Sequence, residues 1–484
     1  MLNGIGNALP EIFLLIAALT VLLADLFLRK HSRILAYMMT QAALLAGAFL
    51  VYGNFAEGTA RQLMGDMYLH DYLSGLIKLV ALLLSCMIVV YGRKYWSNHH
   101  ETPGEFYVLV LFTVLGMMLM VSTTHMVMMY LGLELMSLSL YALTSLLRDD
   151  GRATEAAMKY FILGAISSGL LLYGMSILYG LTGSLEVLTM AEVVGHELDI
   201  QAYLVPLLLA LVFLLSGLSF KLGIVPFHMW MPDVYQGSPT AVTALISSIP
   251  KLATVVVVVR LLIEGLGTIT AEWAQVLMVL GILSVILGNL VALVQMNFKR
   301  MLAYSAIGHM GFVFLGFSTQ TADGNSAAIF YTIVYTVMSV GSFGVLILLG
   351  HMGIDAETLH DLKGLNKRSP WFALVMLLIM FSMAGIPPLA GFYSKLLVIG
   401  AVLQTGFVSL AIVMVLMSVI GAFYYLRAIK MMYFDEPQDT TPLKFDVEFG
   451  VTLTLNGAWV VVIGLFPQLL MTACVKALDA KHLL

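Results

Sequence analysis

Apolar stretches long enough to cross a bilayer recur along this chain about fourteen times. They fall near 10–28, 34–52, 72–91, 105–122, 124–147, 156–180, 203–229, 239–261, 274–295, 301–318, 327–350, 371–401, 407–431 and 448–472. Each is close to the ~20 residues that a spanning helix needs. In hydrocarbon every backbone donor and acceptor must be satisfied within the protein, so a chain built this way folds as a helical bundle. At 60% hydrophobic and 11% charged it has too little polar surface to be soluble at 484 residues. The fold class expected is an all-α polytopic membrane protein.

The basic residues set an orientation. With the N-terminus outside, the inward loops take Arg29, Lys30, Arg33, Arg93, Lys94, Arg148, Arg152, Lys299, Arg300, Lys363, Lys367, Arg368, Arg427, Lys430 and Lys444, and the outward side takes Arg61, Arg260, Lys476 and Lys481. That excess predicts an even number of spans with both termini outside. The first span has no basic residue before it and RKHSR (29–33) after it, the wrong flank for a cleaved signal peptide. A net charge of −4 gives no footing for nucleic acid. The two cysteines, Cys86 and Cys474, are too far apart for a local metal or iron–sulfur motif. No Gly-rich dinucleotide fingerprint and no P-loop is present, so no cofactor is expected in this chain.

Five lysines are left over: Lys78, Lys159, Lys221, Lys251 and Lys395. A lysine near the bilayer centre costs roughly 2.5–3.5 kcal/mol on insertion scales. Lys78 and Lys159 lie near the starts of their spans, where snorkelling to the interface is the plain reading. Lys221, Lys251 and Lys395 lie beside proline or glycine breaks. Glu134 sits well inside a span with no basic residue within a turn, and such a carboxylate must protonate or find a partner on another helix. His228 and His309 fall in the same apolar contexts. A satisfied core histidine is the commoner outcome for either one alone, but the lysines make both candidates for a proton relay.

FKLGIVPFHMW (220–230) has an echo in MAGIPPLAGFYSK (383–395). Gly223 and Pro226 align with Gly385, Pro387 and Pro388, 162 residues on. Proline removes a backbone donor and clashes one turn back, so each stretch predicts a broken helix. The breaks fall on the seventh and twelfth spans, which makes the two five-helix units inverted. Discontinuous helices in matching positions of inverted halves point to a transport path. The expected organisation is 1–104 N-terminal helices, 105–263 first repeat, 264–433 second repeat, and 434–484 a last helix and tail.

Six stretches carry a family resemblance: LGLELMSLSLYAL (131–143), EAAMKYFILGAISSGLLLYG (155–174), FKLGIVPFHMWMPDVYQGSPTAV (220–242), PKLATVVVVVRL (250–261), NFKRMLAYSAIGHMGF (297–312) and MAGIPPLAGFYSKLLV (383–398). In order and spacing the chain resembles the antiporter-like membrane subunits of respiratory complex I, a family shared with multisubunit Na+/H+ antiporters. The resemblance implies a proton-translocating subunit of NADH:quinone oxidoreductase in the bacterial inner membrane. Its relay would consist of Glu134, Lys159, Lys221, Lys251 and Lys395, with His228 and His309 on the same polar axis and Lys159 close to Glu134. NADH, FMN, iron–sulfur clusters and quinone would belong to other subunits of the assembled complex. Lysine at 395 separates this chain from the M-type subunit, which typically has glutamate there. The chain ends soon after its last span, without the long lateral helix of subunit L. Expected neighbours are subunit M, the small subunits K and J, and the lateral helix of subunit L. The alternative is a multisubunit Na+/H+ antiporter subunit. A passive scaffold has no reason to carry buried lysines, and no substrate pocket for a small solute is recognisable.

Overall fold

The computed structural model describes residues 6–27, 33–55, 61–63, 65, 67–99, 103–350, 353–437 and 443–479. Arg29, Lys30 and Lys481 of the charge pattern lie outside them. The chain begins with α1 (Leu9–Phe27), α2 (Arg33–Phe55), the hairpin β1 (Arg61–Leu63) and β2 (Tyr68–His70), and α3 (Tyr72–Asn98). The first repeat contains α4 (Gly104–Val121), α5 (Met126–Thr144), α6 (Gly151–Thr182) and a short α7 (Val187–Glu192). It continues with α8 (Ile200–Leu222), α9 (Trp230–Gly237), α10 (Thr240–Ile246) and α11 (Ile249–Val258). The second contains α12 (Thr270–Val294), α13 (Phe298–Ser318), α14 (Ala322–Leu349), a one-turn α15 (Leu365–Arg368), α16 (Pro370–Ala384), α17 (Ala390–Gln404) and α18 (Val408–Phe434). Last come α19 (Val447–Leu465) and α20 (Pro467–Leu478).

Among the described residues 13 helices are long and apolar enough to cross a membrane. The fourteenth crossing is made by α16 and α17, each of 15 residues and too short alone. Among the described residues the two-stranded hairpin is the one sheet in an otherwise helical chain. The helices sort into layers. The span formed by α10 and α11 is wholly buried and α13 and α14 nearly so, whereas α1 and α18 leave most of their surface outward. Glycines let the paired helices of each repeat touch backbone to backbone. A Cβ on Gly116 of α4 would lie 2.5 Å from Met136 N of α5, and one on Gly288 of α12 would lie 2.5 Å from Gly308 N of α13. In lipid, where hydrophobicity does not drive helix association, such small-residue contacts supply the packing.

Contacts gather the charged loops at one end. Arg152 meets Glu357 at 3.5 Å, His99 meets Asp355 at 3.2 Å, and Gly364 N donates to Met431 O at 3.0 Å. At the other end Leu69 N donates to Ser122 O at 3.0 Å and Val187 N to Thr124 O at 2.9 Å. Lys78 and Arg260 are among the cations expected at interfaces or in loops that are instead interior. Lys78 is 2% exposed and pairs with Glu11 of α1 at 2.5 Å, with Tyr68 OH 3.2 Å away. Arg260 is fully buried in a π-helical turn after α11, between Asp71 and Glu264, the latter at 2.7 Å. Asp71 also caps α3, accepting from Ser74 N at 3.0 Å. Both cations fasten the N-terminal helices or hairpin to the bundle.

Removing one member of a buried pair costs about 3–5 kcal/mol, while replacing both by apolar residues is often neutral. Glu11→Gln or Lys78→Met should therefore lower the unfolding temperature of the detergent-solubilised protein, and Glu11→Leu with Lys78→Met should recover most of the loss.

Candidate functional site

The two helix breaks share one geometry. At the first, Gly223 takes φ +75°, Gly223 N donates to Phe220 O at 3.0 Å, and Ile224 N reaches Ser219 O at 2.8 Å. At the second, Gly385 takes φ +88°, Gly385 N donates to Phe381 O at 3.1 Å, and Ile386 N to the same carbonyl at 3.0 Å. This is the left-handed cap that glycine allows. Val225–Pro226 and Pro387–Pro388 are both cis, at matching positions. The opened backbone is satisfied from within. Trp230 Nε1 donates to Phe220 O at 2.9 Å, and Val225 N to Ser284 Oγ of α12 at 2.9 Å. Gly391 N donates to Ser382 Oγ at 2.9 Å, and Lys395 Nζ to Ala384 O at 3.0 Å. Lys395 therefore serves the second break as Trp230 serves the first.

Between the breaks runs a line of polar side chains. Lys221, in the last turn of α8, donates to Ser137 Oγ of α5 at 2.8 Å and lies 5.9 Å from the Tyr141 ring centroid. Lys251 of α11 donates to Tyr235 OH at 2.7 Å and to Ser247 O at 3.1 Å, with the Tyr235 and Tyr335 rings each 5.4 Å away. Ser339 Oγ of α14 bonds Ser247 Oγ at 2.8 Å. His309 of α13 shares hydrogen bonds with Tyr331 OH at 2.7 Å and Tyr425 OH at 3.0 Å, and its ring lies 5.1 Å from that of Tyr335. Tyr335 thus stands between Lys251 and His309. Tyr425 also bonds Ser305.

None of Lys221, Lys251 and Lys395 has a carboxylate within salt-bridge distance among the described residues; their partners are hydroxyls and carbonyls. The contrast with Lys78 and Arg260 is internal to the chain. Glu134 is half-buried and its Oε1 is enclosed without a hydrogen-bond partner. It lies one turn from Ser137 on α5. His228 sits in the first break, half-buried, with Nδ1 likewise unpartnered.

Lys159 departs from expectation. It does not pair with Glu134. Its ammonium meets Asp233 at 2.7 Å and Glu155 at 2.8 Å, with the side chain 41% exposed. Asp233 also holds Arg300 at 2.6 Å. Helix α9, which follows the break, carries Asp233 to the end of α6 and supplies a competing anion. The residues that sequence reasoning passed over are the hydroxyls. Their signal is a spacing of four: Tyr331, Tyr335 and Ser339 mark one polar stripe on α14.

Residues 123–421 match the family described as NADH:quinone oxidoreductase/Mrp antiporter, transmembrane. NADH-quinone oxidoreductase subunit N of Thioalkalivibrio sulfidiphilus (strain HL-EbGR7) is 50% identical over 472 residues, covering 97% of this chain and 98% of that protein. A chain of respiratory complex I from Thermus thermophilus, solved with aureothin bound, superposes with TM-score 0.82 at 31% identity, covering 96% of this chain and 99% of that one. A chain of the Mrp complex from Dietzia sp. DQ12-45-1b shares the fold at TM-score 0.86 and 20% identity, over 97% of this chain and 96% of that one. The architecture is thus that of the antiporter-like membrane subunits common to these assemblies. The chain belongs within them to the NADH-quinone oxidoreductase subunit N family, and the Mrp reading is the weaker one.

A Cβ on Gly385 would stand 3.0 Å from Lys395 Cδ, at a φ where a side chain costs about 1–2 kcal/mol. Gly385→Ala should lower the unfolding temperature by displacing the Lys395 stem. Gly400→Ala, on the same crossing with nothing within 4 Å, should not.

Proposed function

We propose that this chain moves protons across the membrane through a relay of Glu134, Lys159, Lys221, His228, Lys251, His309 and Lys395. The observation that carries this reading is the set of three interior lysines bonded only to hydroxyls and carbonyls. An interior ammonium beside a carboxylate is fixed in its charged form; one without a counter-ion gives up its proton far more readily. Ser137, Tyr235, Tyr331, Tyr335 and Tyr425 carry hydroxyls, each able to donate and accept, so a proton can be handed along them without a charge being stranded. Glu134, with its Oε1 unpartnered, and Lys159, held by Asp233 and Glu155, are the adjustable end of the line. When a carboxylate approaches Lys221 it retains its proton, and when the carboxylate withdraws the proton is passed toward Lys251.

One charge moved against 100 mV requires about 2.3 kcal/mol. In this reading that energy comes from electron transfer between NADH and quinone, carried by FMN and iron–sulfur clusters in other subunits. Subunit M, the small subunits K and J and the lateral helix of subunit L would cover its outward apolar faces. The basic loops at the Arg152–Glu357 end would face the inside of a bacterial inner membrane and both termini the outside. The repeat units would be 105–263 and 264–433, flanked by 1–104 and 434–484.

Lys221→Met, in complex shown to assemble, should abolish or strongly reduce NADH-driven proton uptake into membrane vesicles. Uptake at the unaltered rate would make Lys221 a structural charge.

A further inference from the structure

A groove of about 290 Å3 opens on the flank of the bundle between α3, α14, α19 and α20. Three of its walls, α3, α14 and α19, are spanning helices, and Leu84 and Ile333 place it near the middle of the first two. The fourth wall exists because the chain turns at Phe466, φ −126° and ψ +57°, and Pro467 starts a new helix of 12 residues. That helix, α20, is too short to cross a bilayer. It packs against α3 and α14 instead and buries Cys474 and Ala477. The groove runs from an exposed rim at Trp459, Phe466 and Leu469, the last 75% exposed, to a floor at Ile333, 2% exposed.

The lining is hydrocarbon. Every side chain in it is aliphatic or aromatic except Met87, whose sulfur already accepts from Asn456 Nδ2 at 3.6 Å. The indole of Trp459 carries the one side-chain N–H or O–H group. A buried water needs two to four polar partners, and an apolar cavity of about 150 Å3 stays dry and takes up benzene instead. Water therefore does not fill this groove. Left empty, its walls would forgo dispersion contacts along their whole length. From Val80 to Met87 the α3 wall is about 10 Å long at 1.5 Å per residue, which leaves a slot on the order of 6 Å wide. A helix with its side chains is about 10–12 Å across and does not enter. An extended hydrocarbon chain does, and the spanning helices set the groove at the depth of the bilayer's own acyl chains.

We infer that the groove binds one acyl chain of a membrane phospholipid, laid along α3 and α14 with α20 as its cover. Shape and apolarity select the chain, so the headgroup is left in the interface and is not chosen. Helix α14 gains most from it. Among its residues 326–349 only Val337 is not buried, and Val337 and Ile333 both line the groove. Tyr331, Tyr335 and Ser339 stand on the same turns of that helix. The bound chain thus completes the packing of the helix that carries the hydroxyl stripe, whether or not those hydroxyls pass protons.

The test uses the assembled complex in phosphatidylethanolamine vesicles that contain a small share of the same lipid with a diazirine midway along one chain. After illumination, adducts are mapped by peptide mass spectrometry. The burial of α14 makes the readout specific, because bulk lipid reaches residues 326–349 through the groove alone. Adducts are expected at Ile333 or Val337 as well as at Leu469 on the rim. Adducts at Leu469 with none on α14 would overturn the proposal, since lipid then covers the groove without entering it. Adducts at neither would mean that a neighbouring subunit fills the groove, and would overturn it as well. Ala473→Phe fills the groove from α20 and should remove the α14 adducts while leaving those at Leu469. Val80→Phe does the same from α3 if Ala473→Phe does not assemble. Undiminished α14 labelling in either assembled variant would show that the chain arrives by another route and would overturn the site.

Discussion

A charge taken into the membrane interior must meet an opposite charge or be free to lose its proton. This chain uses both solutions, in separate places. Near the Asp71 end the charges are matched: Lys78 with Glu11, and Arg260 with Asp71 and Glu264. Along the middle they are not. Lys221, Lys251 and Lys395 have serine, tyrosine and backbone oxygen for company. Matched charges fasten helices; unmatched ones are, in the proposed relay, the groups that exchange a proton.

The broken helices belong to the same logic. Backbone cannot be left open in hydrocarbon, so each break needs donors from nearby side chains. Trp230 performs that task at one break and Lys395 at the other, which ties Lys395 to the frame of its own half. Ser284 of the second repeat closes the first break at Val225, so the two halves share a joint through the region where the lysines lie. Rigid surroundings matter to a relay, because a hydroxyl displaced by an ångström no longer passes a proton on.

Much of this was legible in the sequence. The fourteen crossings, the breaks at Gly223 and Gly385, and the interior place of Lys221, Lys251 and His309 follow from hydropathy and from the residues that interrupt it. What hydropathy does not encode is pairing between distant segments. Lys78 lies near the start of its span and reads as interfacial, but its partner Glu11 is 67 residues away. Arg260 and Lys299 lie at span ends and were counted with the loops, although both are fully buried. Lys159 was expected beside Glu134, but Asp233, brought near by the helix after the break, holds it in this structure. His99 reads as a loop histidine, and its partner Asp355 is more than 250 residues along the chain. In each case the partner belongs to another part of the sequence, and a window along the chain cannot see it.

If proton transfer depends on the lack of a counter-ion at Lys221, supplying one should stop it. Ser137→Asp places a carboxylate where Lys221 now meets a hydroxyl at 2.8 Å. The complex should assemble and NADH-driven proton uptake should be lost, because Lys221 is then locked in its charged form. Uptake at the unaltered rate in an assembled Ser137→Asp complex would contradict it.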